Sequence, residues 1–272
     1  MCSTLAGADR GQGALLRFGG DSCSLARRRL VIAVVTGAKG GIGSEVTRSL
    51  AAMGHHVVAV GRVDCDLSNL AAVAALTRRL RSQHNRIDLL INNAAVAGRR
   101  GVTADGFELA FGVNYLAHFL MTCTLLSPQT RVVNVSSEAH RSAPSIDPRL
   151  GIGRTKSLTG WREYAFSKAC QIAFTLDLAS RGFEAYSVHP GVIATGLWRP
   201  LPQPFRWLVM RGMAPAAAGA LPVIRAALDR GLEPGAYVSP TGMLRPSAAA
   251  SDRSAIARLR NQSMSWVDRY LN

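Results

Sequence analysis

Tyr164 and Lys168 lie four residues apart in Tyr164-Ala165-Phe166-Ser167-Lys168, a run that reads as the start of a helix. At that spacing both side chains leave one helix face, which sets an ammonium beside a phenol. A free phenol titrates near ~10 and is no base at neutral pH, but a neighbouring cation favours phenolate and is expected to lower that value. The pair is then suited to give a proton to a carbonyl or take one from an alcohol. A Tyr and a Lys at this spacing also recur on solvated helix faces, so the rest of the chain must supply the context. Upstream, Arg131-Val132-Val133-Asn134-Val135 predicts a strand that ends in Ser136-Ser137. The C-terminal ends of such strands are where open α/β sheets place ligands and catalytic groups.

Elements able to carry a nucleotide precede these residues. Leu30-Val31-Ile32-Ala33-Val34-Val35 is a short apolar run rich in β-branched residues, the pattern of a strand buried on both faces of a parallel sheet. It feeds into Thr36-Gly37-Ala38-Lys39-Gly40-Gly41-Ile42-Gly43, after which 44–53 reads as a helix. A glycine-rich turn there lets backbone approach a pyrophosphate and aims helix N–H groups at it. A second strand is predicted at 56–60, with Gly61-Arg62 at its tip. An acid at that tip would accept hydrogen bonds from the ribose of NAD(H) and repel a 2′-phosphate. Arg62 instead favours NADP(H), with Lys39 as a second positive charge. Only Val63, Asp64 and Cys65 separate Arg62 from Asp66-Leu67-Ser68, whereas a crossover between parallel strands needs about a dozen residues. The expectation is that the crossover helix after the second strand is missing and the third strand vestigial, with Asp66 and Leu67 reaching an adenine ring from the loop.

Further on, 69–81 has helical spacing and 87–91 reads as a strand ending in Asn92-Asn93-Ala94-Ala95. One long helix is predicted over 107–126, with Asn114 in its apolar stripe, where a buried amide needs partners. The Tyr164 helix should run to about Ser180, followed by a strand at 185–188 and then His189-Pro190-Gly191-Val192-Ile193-Ala194-Thr195. Trp198, Phe205, Trp207 and Leu208 among several prolines predict an apolar substrate lid over 192–213. A helix at 215–230, a last edge strand at 235–239 and an amphipathic helix at 252–271 complete the chain.

With 272 residues and 48% hydrophobic side chains, the chain can bury one large α/β domain, placed at 30–272. Residues 1–29 hold five arginines and no apolar periodicity, and read as a poorly ordered extension or an organellar targeting segment. The formal charge of +15 raises nucleic acid or an anionic membrane as partners. Lysine occurs only at 39, 156 and 168, and the arginines are scattered without interleaved aromatics, which argues against nucleic-acid binding. Five cysteines without paired spacing argue against a disulfide framework or zinc site and suit the cytoplasm. No apolar run approaches the ~20 residues of a membrane-spanning helix.

Taken together, Thr36-Gly37-x3-Gly41-x-Gly43, Asn92-Asn93-Ala94, Asn114, Ser137, Tyr164-x3-Lys168 and Pro190-Gly191-x3-Thr195 resemble the short-chain dehydrogenase/reductase family, in its order and on its strand ends. The runs at 103–122, 131–140 and 186–197 look like the branch containing the retinol dehydrogenases and the WW-domain oxidoreductase. The resemblance implies a single doubly wound parallel sheet of Rossmann type, a homodimer or homotetramer, and oxidoreduction of a small apolar alcohol or carbonyl. It implies Tyr164 as general acid and base, with Ser137 holding the substrate oxygen. Lys168 would tune Tyr164 and bind the nicotinamide ribose, and Asn114 would position a water in a proton relay. Around the cofactor, Thr36, Gly37, Lys39, Gly41, Ile42 and Gly43 would form the pyrophosphate turn. Arg62 would take the 2′-phosphate, Asp66 and Leu67 the adenine, and Asn93 and Ala94 the adenosine side. Pro190, Gly191, Val192 and Thr195 would meet the nicotinamide. Ala95 departs from the family's glycine, which would cost roughly 1 kcal/mol at a positive φ. The alternative is a degenerate member that binds a dinucleotide or a protein partner without turnover.

Overall fold

The structure is a computed structural model that describes residues 30–193 and 213–271. The extension at 1–29, Thr195 and nearly all of the expected lid lie outside the described residues. β1 (Ile32–Thr36), β2 (His56–Val60), β3 (Leu89–Asn92), β4 (Arg131–Val135), β5 (Ala185–Val188) and β6 (Tyr237–Ser239) pair in parallel, and β7 (Gly242–Leu244) adds antiparallel. The order β2-β1-β3-β4-β5-β6-β7 makes one seven-stranded sheet. The strand predicted as the last edge is therefore internal. Gly242, at a φ of 126°, follows the turn that lets the chain double back and cover it.

Alternation along β1 shows how the sheet divides its core. Val34 joins the apolar cluster on one face, while Ala33 and Val35 join the cluster on the other. α1 (Gly41–Ala52) and α6 (Ala216–Leu228) cover the second face. The first face is covered by α2 (Leu70–Gln83), α4 (Ala117–Leu125), α5 (Trp161–Ser180) and α8 (Arg253–Val267). Among the described residues, no helix is long and apolar enough to cross a membrane.

Three local features bear on the site. Between β2 and α2, residues 61–69 form turns with neither helix nor strand, and β2 is the edge of the sheet. The helix expected as one piece over 107–126 is instead α3 (Leu109–Phe111), a π-helical turn (Gly112–Leu116) and then α4. That wide turn contains Asn114, and such insertions re-aim backbone groups at functional positions. The short α7 (Ala248–Ser251) precedes α8, capped by Ser247.

Candidate active site

The strand order reverses at β1, whose neighbours are β2 on one side and β3 on the other. Their C-terminal ends therefore diverge into a crevice, the usual ligand position in open α/β sheets. Thr36, the last residue of β1, ties the crevice together. Its hydroxyl accepts hydrogen bonds from the backbone N–H groups of Asn93 and Ala94, both at 3.0 Å. The Asn93 amide donates back to the Thr36 carbonyl at 2.8 Å.

The glycine turn is built for close approach. Gly37 has φ 66° and Gly41 φ 49°, conformations that side chains disfavour. A Cβ on Gly43 would fall 2.2 Å from the Gly37 carbonyl oxygen, so only glycine lets α1 start this close to β1. The first turn of α1 has no side-chain cap and no acid, which leaves its N–H groups to an anion.

Beyond the tip of β2, Lys39 lies across Gly61 and pairs with Asp64 at 3.0 Å. Asp64 also accepts from the Gly61 N–H at 2.8 Å. These contacts hold the positive end of the site at the base of the 61–69 turns, next to exposed Arg62. Asp66 spends one carboxylate oxygen on the N–H and hydroxyl of Ser68, at 3.0 and 2.8 Å, and those bonds hold its pKa below the usual carboxylate value.

Tyr164, Lys168 and Ser137 meet at the opposite end. Tyr164 is buried at 5% exposure and is hydrogen-bonded to Ser137. The expected lowering of its pKa is not what the fold produces. Burial disfavours phenolate and pushes the phenol up to about 12, with the Ser137 bond pulling in the other direction. The Lys168 ammonium lies 5.5 Å from the ring centre and is turned away from the hydroxyl. It donates instead to the Val135 carbonyl at 2.7 Å and to the Gln171 amide oxygen at 2.8 Å. Burial alone brings Lys168 down to about 7, so it exchanges a proton close to neutrality. The arrangement favours a neutral phenol beside an amine of balanced charge.

Asn114 is held in place by its side chain. Its amide donates to the Val96 carbonyl and to Ser167 Oγ, both at 2.9 Å, and its oxygen accepts from the Val96 N–H at 2.8 Å. Both N–H groups are committed, so the side chain clamps the strand-end loop to α5. The Asn114 backbone carbonyl accepts from His118 Nδ1 at 2.9 Å, and His118 Nε2 lies 2.9 Å from the Thr36 hydroxyl. A carbonyl only accepts, so Nδ1 carries the proton; burial holds His118 neutral, at about 4, so Nε2 accepts from Thr36.

One cavity of about 440 Å³ joins the two ends. Of the expected residues, Gly37, Gly41, Ile42, Arg62, Asp66, Leu67, Asn93, Ala94, Tyr164, Lys168 and Pro190 line it. Gly191, at φ 93°, and Val192 continue from Pro190, with Val192 exposed. Thr36, Gly43 and Asn114 support the cavity from behind. Gln171 and His118 escaped the sequence reading. Gln171 was within reach of the helix-spacing argument, being three residues from Lys168 on the same face. Nothing local marks His118, whose partners come from two other elements. Leu109, Val113 and Val96 give the catalytic end of the cavity an apolar wall. The uncapped turn, the glycine cradle and the basic tip suit an elongated diphosphate ligand ending at Tyr164.

A Rossmann-like sheet with a glycine turn, and a Tyr–Lys pair at the far end of one cavity, defines a nucleotide-dependent oxidoreductase. Residues 31–218 match the family model described as Enoyl-(Acyl carrier protein) reductase. The chain belongs to the short-chain dehydrogenase/reductase family, whose members use NAD(H) or NADP(H). It is 35% identical to human Retinol dehydrogenase 12 over 271 residues, covering 85% of this chain and 84% of that protein. It is 34% identical to the bovine Dehydrogenase/reductase SDR family member 13, covering 85% and 72%. Among solved structures, a crystal structure of an uncharacterised protein from Mycobacterium Paratuberculosis superimposes with a TM-score of 0.68 at 28% identity, covering 88% and 93%.

Proposed function

We propose that this chain is an NADP(H)-dependent oxidoreductase that interconverts an alcohol and an aldehyde or ketone on an apolar substrate, with Tyr164 as general acid and base. The observation that carries this reading is the buried Tyr164, within reach of the half-buried Ser137 and beside Lys168, opening on the same cavity as Arg62 and the glycine turn. When bound, a nicotinamide cofactor would supply the hydride for reduction and accept it in oxidation. The neutral Tyr164 donates its proton to the substrate oxygen as charge develops there, and the Ser137 hydroxyl stabilises that oxygen. Lys168, close to half-protonated at neutral pH, returns a proton to Tyr164 by swinging its amine from Val135 and Gln171 towards the hydroxyl. Arg62 is the side chain suited to a 2′-phosphate, and the first turn of α1 to the pyrophosphate.

Leu109, Val113 and Val96 in the cavity wall, together with retinol dehydrogenase relatives, favour a retinoid, steroid, lipid aldehyde or xenobiotic carbonyl. The short 61–69 connection stands in for the crossover helix and third strand of longer family members, leaving the adenine side shallower. The domain at 30–272 carries the whole activity, as a homodimer or homotetramer.

The test is a fluorescence titration of the purified protein with NADPH and NADH, followed by NADPH oxidation against a panel of apolar aldehydes and ketones. Tighter binding of NADPH with turnover is expected, and Tyr164→Phe should keep binding while turnover falls about 10²-fold or more. Absence of binding by either nucleotide, or full activity in Tyr164→Phe, would overturn the proposal.

A further inference from the structure

Next to the catalytic end of the cavity, two loops lie against each other. Gly101 donates to Thr155 Oγ1 at 2.9 Å and its carbonyl accepts from the Thr155 N–H at 3.1 Å, while Gly160 packs on the Arg99 backbone. From 150 to 158 the second loop alternates. Gly151 and Thr155 are buried, whereas Leu150, Ile152, Arg154, Lys156 and Leu158 all face solvent. Thr155 is the anchor of this ribbon, its hydroxyl 2.6 Å from the buried Glu108 carboxylate. The segment leaves a 3-10 turn at Pro148–Gly151 and continues through bends, held down at Gly151 and Thr155 with the residues around them left in solvent.

What the free side shows is unusual in two ways. It exposes large apolar side chains, with Leu158 84% accessible and Ile152, Leu150 and Val102 also exposed. A loop buried against protein would hide these groups, and scattered exposure would not place them on one ribbon. Interleaved with them are Arg99, Arg100, Arg154, Lys156 and Arg162, all exposed. Among the described residues none of the five has an ion-pair partner. The neighbouring acids are unavailable: Glu108 is taken by Thr155 and the Phe111 N–H, and Glu163 by Ser157 and the Lys156 N–H. The face is thus both cationic and apolar, and Arg99 also lines the cavity.

We propose that this face docks on the surface of an anionic lipid bilayer, with Leu158 and Ile152 entering the headgroup boundary and the five cations against the lipid phosphates. Charge complementarity selects the anionic surface, and the protruding leucine and isoleucine select a bilayer over a purely polar polyanion. Docked this way, the cavity opens at the layer where apolar molecules partition. The proposal concerns binding and stands independently of the catalytic reading.

The test is co-sedimentation of the full-length protein with vesicles of phosphatidylcholine alone and with vesicles containing phosphatidylglycerol, in about 0.1 M and about 1 M salt. Sedimentation with the anionic vesicles only, released by high salt, is expected. Two variants at exposed sites refine it: L158D, and the triple R154E/K156E/R162E. Each should weaken partitioning roughly tenfold or more, with unfolding curves and NADPH titration like those of the parent. Equal binding to neutral vesicles, no binding to either, or wild-type binding by the triple variant would overturn the proposal. Loss in the triple variant with L158D unaffected, matched by the same loss of heparin retention, would assign a polyanion site instead and overturn it as well.

Discussion

Replacing His118 with glutamine should remove a defined part of the protein's acid sensitivity. In the fold, burial holds His118 at about 4 against an ordinary value of 6.5. As pH falls, the unfolded chain takes up this proton first, so the folded state loses stability from about 6.5 down to about 4 and keeps it above 6.5. The whole gap corresponds to about 3 kcal/mol, of which about 2 kcal/mol is spent by pH ~5. His140 and His189 are also lowered by burial and act in the same direction, so the informative quantity is the difference between wild type and variant. Glutamine can still accept from Thr36 but loses the Nδ1 bond to the Asn114 carbonyl, a cost of about 1 kcal/mol at neutral pH. Urea unfolding at pH ~7.5 and pH ~5 should therefore show the wild type more stable at the higher pH and the two proteins level, or reversed, at the lower. In thermal unfolding the acid-dependent part should appear as about 4–8 °C for a chain of this size. A constant gap between the two proteins at both pH values would refute a buried, neutral His118.

Substitutions at three further positions address the site directly. Gly43→Ala drives a methyl into the Gly37 carbonyl and should cost roughly 1–3 kcal/mol of stability and disrupt nucleotide binding, measured by denaturation and NADPH titration. Gln171→Glu replaces an amide whose Nε2 is buried without a partner by a carboxylate against the Lys168 ammonium; it should raise Lys168 above about 7 and displace the pH profile of turnover upward, while Gln171→Met should displace it downward. Arg62→Ala should weaken NADPH by about 1.5–3 kcal/mol while leaving NADH nearly unchanged, read from the paired titrations.

Much of the site was legible in the sequence because its chemistry depends on local geometry. The turn at 36–43 demands glycine at fixed offsets from a strand and a helix, and Tyr164 and Lys168 share a helix face by spacing alone. The strands at 131–135 and 185–188 were likewise legible, because buried parallel strands are short β-branched runs with sharp ends. What tertiary structure decided is how these local pieces meet. The acidity of Tyr164 follows from burial, and a four-residue spacing cannot say that Val135 and Gln171 draw the ammonium away from the hydroxyl. The Asn114 side chain could be expected only to need partners; the partners it finds, Val96 and Ser167, come from β3's exit loop and α5, long-range neighbours that no window of sequence contains. His118 joins the π-turn to the end of β1 for the same reason. The cationic and apolar side chains at 99–102 and 150–162 fall on one surface only because Gly101 and Thr155 bring the two loops together. Residue type and spacing determined which groups this protein brings to the reaction; burial and long-range contact determined their protonation and the company they keep.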